Sequence, residues 1–338
     1  MEQPLFNETA KPAAAETDVP VHYPPKYNPP AEQQQVWLKS IISLAAYLLM
    51  GYYIFPSYKI LLVITAVVMI HELGHFLAMK AYRYNDLGIF FIPLLGAYVS
   101  GTKREVSQKQ SAVILLAGPL PGMLIGTAML LIDRTNPGFF LLGIPYYKVA
   151  GFFILLNLIN LLPVYPLDGG QLLNRVFLDE ESIWSKIFVF LSIALLGWFA
   201  WSLYSYSKNP VFFLLMALPV TMLLRSFGDQ KLDSVEKRIE EAGINADTEY
   251  EDLSDADYWK IRNILIENHP SFKDIPSAPP YEFCEKEDKI MATIQSLLHR
   301  HLIQDVSFAG KLLLFLLWVA GLAAPWLLGM ELNFFSGQ

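Results

Sequence analysis

The chain has 338 residues, 54% hydrophobic, 14% aromatic and 17% charged, with a formal net charge of −7 and one cysteine. Soluble domains carry about a quarter charged residues, so the composition excludes an ordinary soluble globule and, with several long apolar runs, indicates a polytopic membrane protein. The acidic balance gives no support to a nucleic-acid partner, and a lone Cys284 excludes an intrachain disulfide or a cysteine-based metal site.

Residues 1–36 are polar and proline-rich, with no basic stretch feeding an apolar one. They read as a disordered cytoplasmic tail and not as a secretory signal. A first span is expected from about Trp37 to Phe55, ended by Pro56. The second, about Lys59 to Met79, carries His71-Glu72-Leu73-Gly74-His75 at the end of the apolar run Ile60–Ile70. The following segment, Leu87 to Val99, is rich in β-formers and punctuated by Gly and Pro. Too short to span, it is expected to be a hairpin dipping into the membrane, where irregular backbone is tolerated only inside protein or a wet cavity.

A third span is expected at about Ser111–Ile132, interrupted by Ala117-Gly118-Pro119-Leu120-Pro121-Gly122, which reads as a kink and close-packing device. The fourth, about Tyr147–Leu162, runs into Asn160-Leu-Leu-Pro-Val-Tyr-Pro-Leu-Asp-Gly-Gly170. Further spans are expected at about Ile183–Leu203, Val211–Leu224 and Phe308–Leu328, seven in all. Between the last two, residues 225–307 alternate charge at helical spacing and read as a small acidic helical domain, a place for a partner. Four regions result: tail 1–36, transmembrane core 37–224, helical domain 225–307, and last span with its tail 308–338. The fold class is an all-α polytopic membrane protein with a re-entrant β-hairpin and a cytoplasmic helical domain. Lys and Arg favour the side of the N-terminus (Lys80, Arg83, Lys103, Lys109, Arg175) over the other (Lys59, Arg134, Lys148, Lys208), which places the N-terminus and 225–307 in the cytoplasm.

Ionisable side chains at the bilayer centre cost roughly 2.5–3.5 kcal/mol each on insertion scales, so three within one and a half helical turns imply function. On a helix His71 and His75 project from one face, as two imidazole ligands to one Zn²⁺ require, with Glu72 beside them as general base. A catalytic zinc keeps three protein ligands and an open position. The remaining histidines, His22, His269, His299 and His301, lie outside the spans; Asp168 is the carboxylate in the polar turn after the fourth span. It is bracketed by Pro166, Gly169 and Gly170, expected to keep the backbone non-helical, and is a suitable third ligand. Asn160 is placed to hydrogen-bond substrate backbone or a developing oxyanion, whereas Asn157 reads as polar cement between helices. One zinc per chain is expected.

His71-Glu72-Leu73-Gly74-His75 in a membrane helix, followed by Asn160, Pro163 and Leu167-Asp168-Gly169, resembles the site-2 protease family of intramembrane metalloproteases over about residues 59–175. The resemblance implies zinc ligands His71, His75 and Asp168, catalytic base Glu72, and a substrate-holding Asn160. It also implies a membrane-re-entrant β element, here Gly88–Val99, whose edge residues Gly96, Ala97 and Tyr98 are expected to hold substrate as an added strand. The implied substrate is a single-pass transmembrane protein cut within or near the bilayer, in regulated intramembrane proteolysis. The family's frequent Asn after the Gly-Pro of the third helix is missing at Gly118-Pro119-Leu120-Pro121-Gly122, and no PDZ-like insert or pair of CBS modules is evident. The alternative is a catalytically silent membrane scaffold working through 225–307, against which an intact Glu72 argues.

Overall fold

The computed structural model describes residues 23–28, 36–55, 57–93, 96–103, 106–178, 182–208, 210, 215–246, 248–298 and 302–327. Apolar runs set the architecture: α1 (Val36–Ile54), α2 (Tyr58–Ala81), α7 (Ile183–Ser207) and α11 (Phe308–Leu327) are long helices, and α3 (Gln108–Ala117) and α4 (Pro119–Thr135) form one broken helix. These are five helical units long and apolar enough to cross a membrane, and the protein is an integral membrane protein.

Two expected spans differ from the seven-span reading. The fourth is α5 (Tyr146–Asn160), only 15 residues, about 22 Å at 1.5 Å per residue and short of a hydrocarbon core of about 30 Å. The region of the sixth is the start of α8 (Ala217–Glu241), which runs on as one helix into the polar region; residues 211–214 of that span lie outside the described residues.

Between α2 and α3 the chain forms the expected hairpin, β1 (Asn85–Ile92) paired antiparallel with β2 (Gly96–Thr102), with Ile92 opposite Gly96 and Phe91 opposite Ala97. The outer edge of β1 faces α1, where Ser43 Oγ accepts the Phe91 N–H at 3.1 Å. Phe91 and Ala97 are therefore a non-hydrogen-bonded pair of the ladder, so the Ala97 N–H and C=O point off the opposite edge of β2. A second, two-residue hairpin, β3 (Phe140–Leu141) with β4 (Ile144–Pro145), leads into α5.

α2, α4 and α5 close around Val63, Val67, Met129, Val149, Ala150, Phe153 and Ile154. Gly126 makes this possible on α4, since a Cβ there would crowd Ile154, Phe153 and the Ala150 carbonyl at 2.8 to 3.0 Å. Small residues at such contacts let membrane helices approach, where no hydrophobic force separates helix from lipid. A second cluster joins α3, the short α6 (Asp168–Leu172), the wider π turn that follows over Leu173–Leu178, and Trp318 of α11.

The polar region has a core of its own. α8, α9 (Asp255–Asn268) and α10 (Glu287–Leu297) bury Val235, Ile239, Tyr258, Trp259, Ile261, Leu265, Ile290 and Ile294. At its centre Arg262 Nε and Nη2 donate to the two Glu287 carboxylate oxygens at 2.7 and 3.0 Å, and Tyr258 Oη donates to Oε1 at 2.5 Å. Burial pushes the Glu287 carboxyl up, but the bonds from Arg262, Tyr258 and the Cys284 N–H outweigh it and hold it below the usual carboxylate range. A depressed carboxyl stabilises the fold above its unfolded value and ceases to do so as pH falls through its folded value. The helical region is therefore expected to weaken below about pH 4.3, and Glu287→Gln to remove about 3–5 kcal/mol at neutral pH by stranding the Arg262 charge. Urea titration followed by near-ultraviolet circular dichroism, at pH 7 and pH 4, measures both.

The reading of residues 1–36 as disordered does not hold for residues 23–28, which pack against this helical region without regular secondary structure. Residues 1–22 and 29–35, and His299 and His301, lie outside the described residues.

Candidate metal centre

α2 presents His71 and His75 from one face, as their spacing requires. Helix geometry alone leaves each ring free to rotate; the neighbours remove that freedom. His75 Nδ1 sits 2.7 Å from the Ile114 carbonyl of α3, and His71 Nδ1 sits 2.8 Å from Asn157 Oδ1 of α5. The Asn157 amide is itself fixed, because its Nδ2 donates to the Phe153 carbonyl at 2.7 Å. Both Nδ1 atoms thus face acceptors with no proton to give, so Nδ1 carries hydrogen in each ring and, with the rings neutral, Nε2 keeps a lone pair.

Those two Nε2 atoms are 3.0 Å apart, and Asp168 Oδ2 lies 3.1 Å from one and 3.3 Å from the other. Asp168 Oδ2 is buried with no hydrogen-bond partner among the described residues. With both rings neutral, three electron-pair donors converge in residues 6 to 9% exposed. A divalent cation resolves the repulsion. Zn–N and Zn–O bonds of about 2.0–2.1 Å in a tetrahedron place ligand atoms about 3.3 Å apart, so the donor set fits zinc. His71, His75 and Asp168 are the group among the described residues whose donor atoms could hold a metal ion.

Close approach of backbones makes this convergence possible. A Cβ at Gly74 would overlap the Ala117 carbonyl, one at Gly118 the His75 ring, and one at Gly122 the Asn157 amide. Pro119 and Pro121 supply no N–H to the carbonyls four residues back, which opens the helix at Gly118 beside His75. The kink that reads as packing is thus also the seat of His75.

The Asp168 turn corrects one expectation. Asp168 is the first residue of helix α6, with Leu167 as its cap, so the backbone there is helical. Gly169 and Gly170 are required because a Cβ would overlap the Leu161 carbonyl and the Val164–Tyr165 backbone, respectively. The turn is pinned from three sides: Trp318 Nε1 donates to the Leu161 carbonyl at 2.8 Å, Ser192 Oγ accepts the Tyr165 N–H at 3.1 Å, and Gln171 Nε2 donates to the Pro166 carbonyl at 2.8 Å. Trp318 and Ser192 come from α11 and α7, so two later spans hold the loop that aims Asp168.

Beside the metal-holding group is a cavity lined by Glu72, His71 and Asn157, by Asn160, and by Gly96 and Ala97 of β2. Glu72 is 5% exposed and reaches this cavity. Gly96 adopts φ of 103°, a left-handed value that favours glycine. Of the three hairpin residues expected to meet substrate, Gly96 and Ala97 line the cavity, while Tyr98 stacks on Phe90 with ring centres 5.5 Å apart. Asn160 ends α5, and its Nδ2 donates to the Leu156 carbonyl at 3.2 Å. Asn157, which reads as helix cement, does bridge two helices, and the group it bonds across from α5 is the His71 ring of α2.

Residues 59–141 match the family model described as "Peptidase family M50". A zinc metalloprotease of Methanocaldococcus jannaschii is 28% identical over 151 residues, covering 44% of this chain and 42% of its own. Stage IV sporulation protein FB of Bacillus subtilis is 28% identical over 123 residues, covering 35% and 40%. The chain therefore spans about four-tenths of the length of these curated relatives. The solved site-2 protease from M. jannaschii aligns over 55% of this chain and 84% of its own at 19% identity, with a TM-score of 0.39, a likeness too loose to argue from.

Proposed function

We propose that the chain is a member of the site-2 protease family, on the family-model match over residues 59–141 and the metalloprotease relatives, and that it is an intramembrane zinc endopeptidase acting on single-pass transmembrane proteins. The observation that carries this reading is the convergence of His71 Nε2, His75 Nε2 and Asp168 Oδ2 with Glu72 at the wall of the adjoining cavity. His71, His75 and Asp168 hold the metal. When bound, zinc supplies a Lewis acid that polarises a carbonyl and acidifies water at its open position. Glu72 takes the proton from the attacking water and returns it to the leaving amine. The edge of β2 binds a locally unwound substrate segment as an added strand through the Ala97 N–H and C=O, which brings the scissile carbonyl over the cavity. Asn160 offers its amide to substrate backbone. Burial of the whole group excludes bulk water, so each dipole acts at low dielectric.

The N-terminus and the 225–307 domain are cytoplasmic in this reading, which rests on the Lys and Arg distribution. The four-region division at 36/37, 224/225 and 307/308 is retained, with 23–28 joined to the helical domain.

The reading is tested by metal analysis and cleavage on one purified sample. One zinc per chain is expected, with cleavage of a tagged single-pass substrate lost on chelation and restored by stoichiometric zinc. Cleavage unaffected by complete zinc removal would overturn it.

Asn157 tests the geometry of the metal-holding group independently. Outer residues that orient a ligating histidine are typically worth 10- to 100-fold in metal affinity. Asn157→Ala should weaken zinc retention against a chelator about that much, and Asn157→Asp, which still accepts from His71 Nδ1–H, should recover most of it. Competition with a chromogenic chelator reads the difference without reference to cleavage.

A further inference from the structure

Residues 23–28, Tyr-Pro-Pro-Lys-Tyr-Asn, have no regular secondary structure, yet are held against the helical domain by a dense set of directed bonds. Lys26 Nζ donates to the carbonyls of Tyr250, Glu251 and Leu253 at 2.8, 2.6 and 2.7 Å. An ammonium has three donors and no acceptor, so this cage uses all of them. Its charge also sits 5.7 Å from the Tyr250 ring centre. The Lys26 N–H donates to Asp255 Oδ1 at 2.8 Å, Trp259 Nε1 donates to the Pro24 carbonyl at 2.9 Å, and Tyr250 Oη donates to the Tyr27 carbonyl at 2.6 Å. Tyr27 Oη donates to Asp288 at 2.7 Å, and the Tyr23 and Tyr27 rings meet Tyr281 and Phe283 edge-on at 5.6 and 5.2 Å.

These are the features of ligand recognition and not of a core. The domain's buried cluster is drawn wholly from residues 235–298, with Tyr23 and Tyr27 packed only at its margin. Pro25 and Asn28 are exposed. Aromatic rings plus donors aimed at carbonyls flanking prolines are how proline-rich segments are bound, because such segments are already extended and lose little entropy on docking. The seven residues 29–35 connect the segment to α1, and a linker that short sustains a high effective concentration, so a site of modest intrinsic affinity stays filled in cis.

We propose that the 225–298 helical domain is a recognition module for an extended, proline-rich segment bearing one lysine, and that Tyr23–Asn28 is its ligand in cis, a releasable clasp between the first span and the domain. The domain has two other links to the membrane core. α8 enters it directly, and on leaving it Ile303 exchanges backbone bonds with Val106 and Gln108 at the start of α3, the helix whose Ile114 carbonyl fixes His75. Release of the clasp removes one of the links between the domain and the membrane core.

The test uses the full chain in detergent with a protease recognition sequence placed within 29–35. After cutting, the N-terminal fragment should co-elute with the body on size exclusion, and excess synthetic peptide covering 20–31 should displace it. Lys26→Ala should speed its loss at least tenfold, and Tyr250→Phe, which keeps the ring and removes only the hydroxyl bond, several-fold, with thermal unfolding of the body unchanged. A fragment that leaves the wild-type body at once would overturn the proposal. So would one retained equally with Lys26→Ala, or one that excess peptide cannot displace.

Discussion

Glu72→Gln is expected to abolish cleavage while leaving one zinc on the chain. The substitution keeps the side chain's size and its place at the cavity wall, and touches none of the three ligand atoms, which belong to His71, His75 and Asp168. What it removes is the capacity to accept a proton from water and pass it on. A positioned base contributes about 10²- to 10⁴-fold, and in a buried site no bulk water substitutes for it. Co-expression of an epitope-tagged single-pass substrate with wild type or Glu72→Gln, with product identified by mass spectrometry, reads the loss directly. Equal product from both would remove Glu72 as the base, and metal content on the same samples separates that outcome from a failure to load. The scaffold alternative makes the opposite forecast, since a protein acting only through its helical domain does not notice the change.

How far the sequence discloses this site depends on whether the needed contact is local. His71, Glu72 and His75 share one helix, and their relation follows from helix period alone. Asp168 is legible for a different reason, being the carboxylate in a Pro- and Gly-bracketed turn at the right end of a span. Its backbone was misjudged because glycines suggest a break, whereas here they permit Leu161 and Val164 to pass close to a helical turn. The two asparagines show the limit most clearly. Asn157 and Asn160 are one helical turn apart on α5, and nothing along the chain says which faces a histidine. The answer lies on α4, where Gly122 leaves a notch that the Asn157 amide fills. A contact made by an absent side chain has no local signature.

Two errors of scale have the same origin. Residues 1–36 average to a composition that cannot form a core, but averaging hides Tyr23, Lys26 and Tyr27, whose partners lie more than 220 positions away. The seven-span reading counts apolar length, whereas among the described residues α5 is a 15-residue apolar helix and α8 continues from the sixth apolar run into the polar domain. By contrast the β1–β2 hairpin was legible from its Gly and Pro punctuation. Which edge is covered was not, because it depends on Ser43 of α1 closing the β1 side.

Asp168→Ala is expected to cost zinc and cleavage together, the reverse of the Glu72 result. In the proposed ligand set, Asp168 Oδ2 supplies the one negative charge beside the two imidazole nitrogens. Its removal leaves two nitrogens held 3.0 Å apart by Asn157 and Ile114, a pair that still binds divalent metal but loosely. The loss should exceed the roughly 100-fold upper range for disturbing an outer residue, because a bond to the metal itself is gone. Asp168→Asn should behave almost as badly, since the amide keeps the shape and removes the charge. Asp168→His offers a third neutral nitrogen and should recover part of the zinc but little cleavage, as the ring's greater length shifts the metal away from Glu72. Chelator competition and cleavage measured across the three variants separate the two roles of that carboxylate, holding the metal and placing it. Full zinc occupancy and wild-type cleavage in Asp168→Ala would remove it from the ligand set, leaving its buried, unpartnered oxygen between two lone pairs without a physical account.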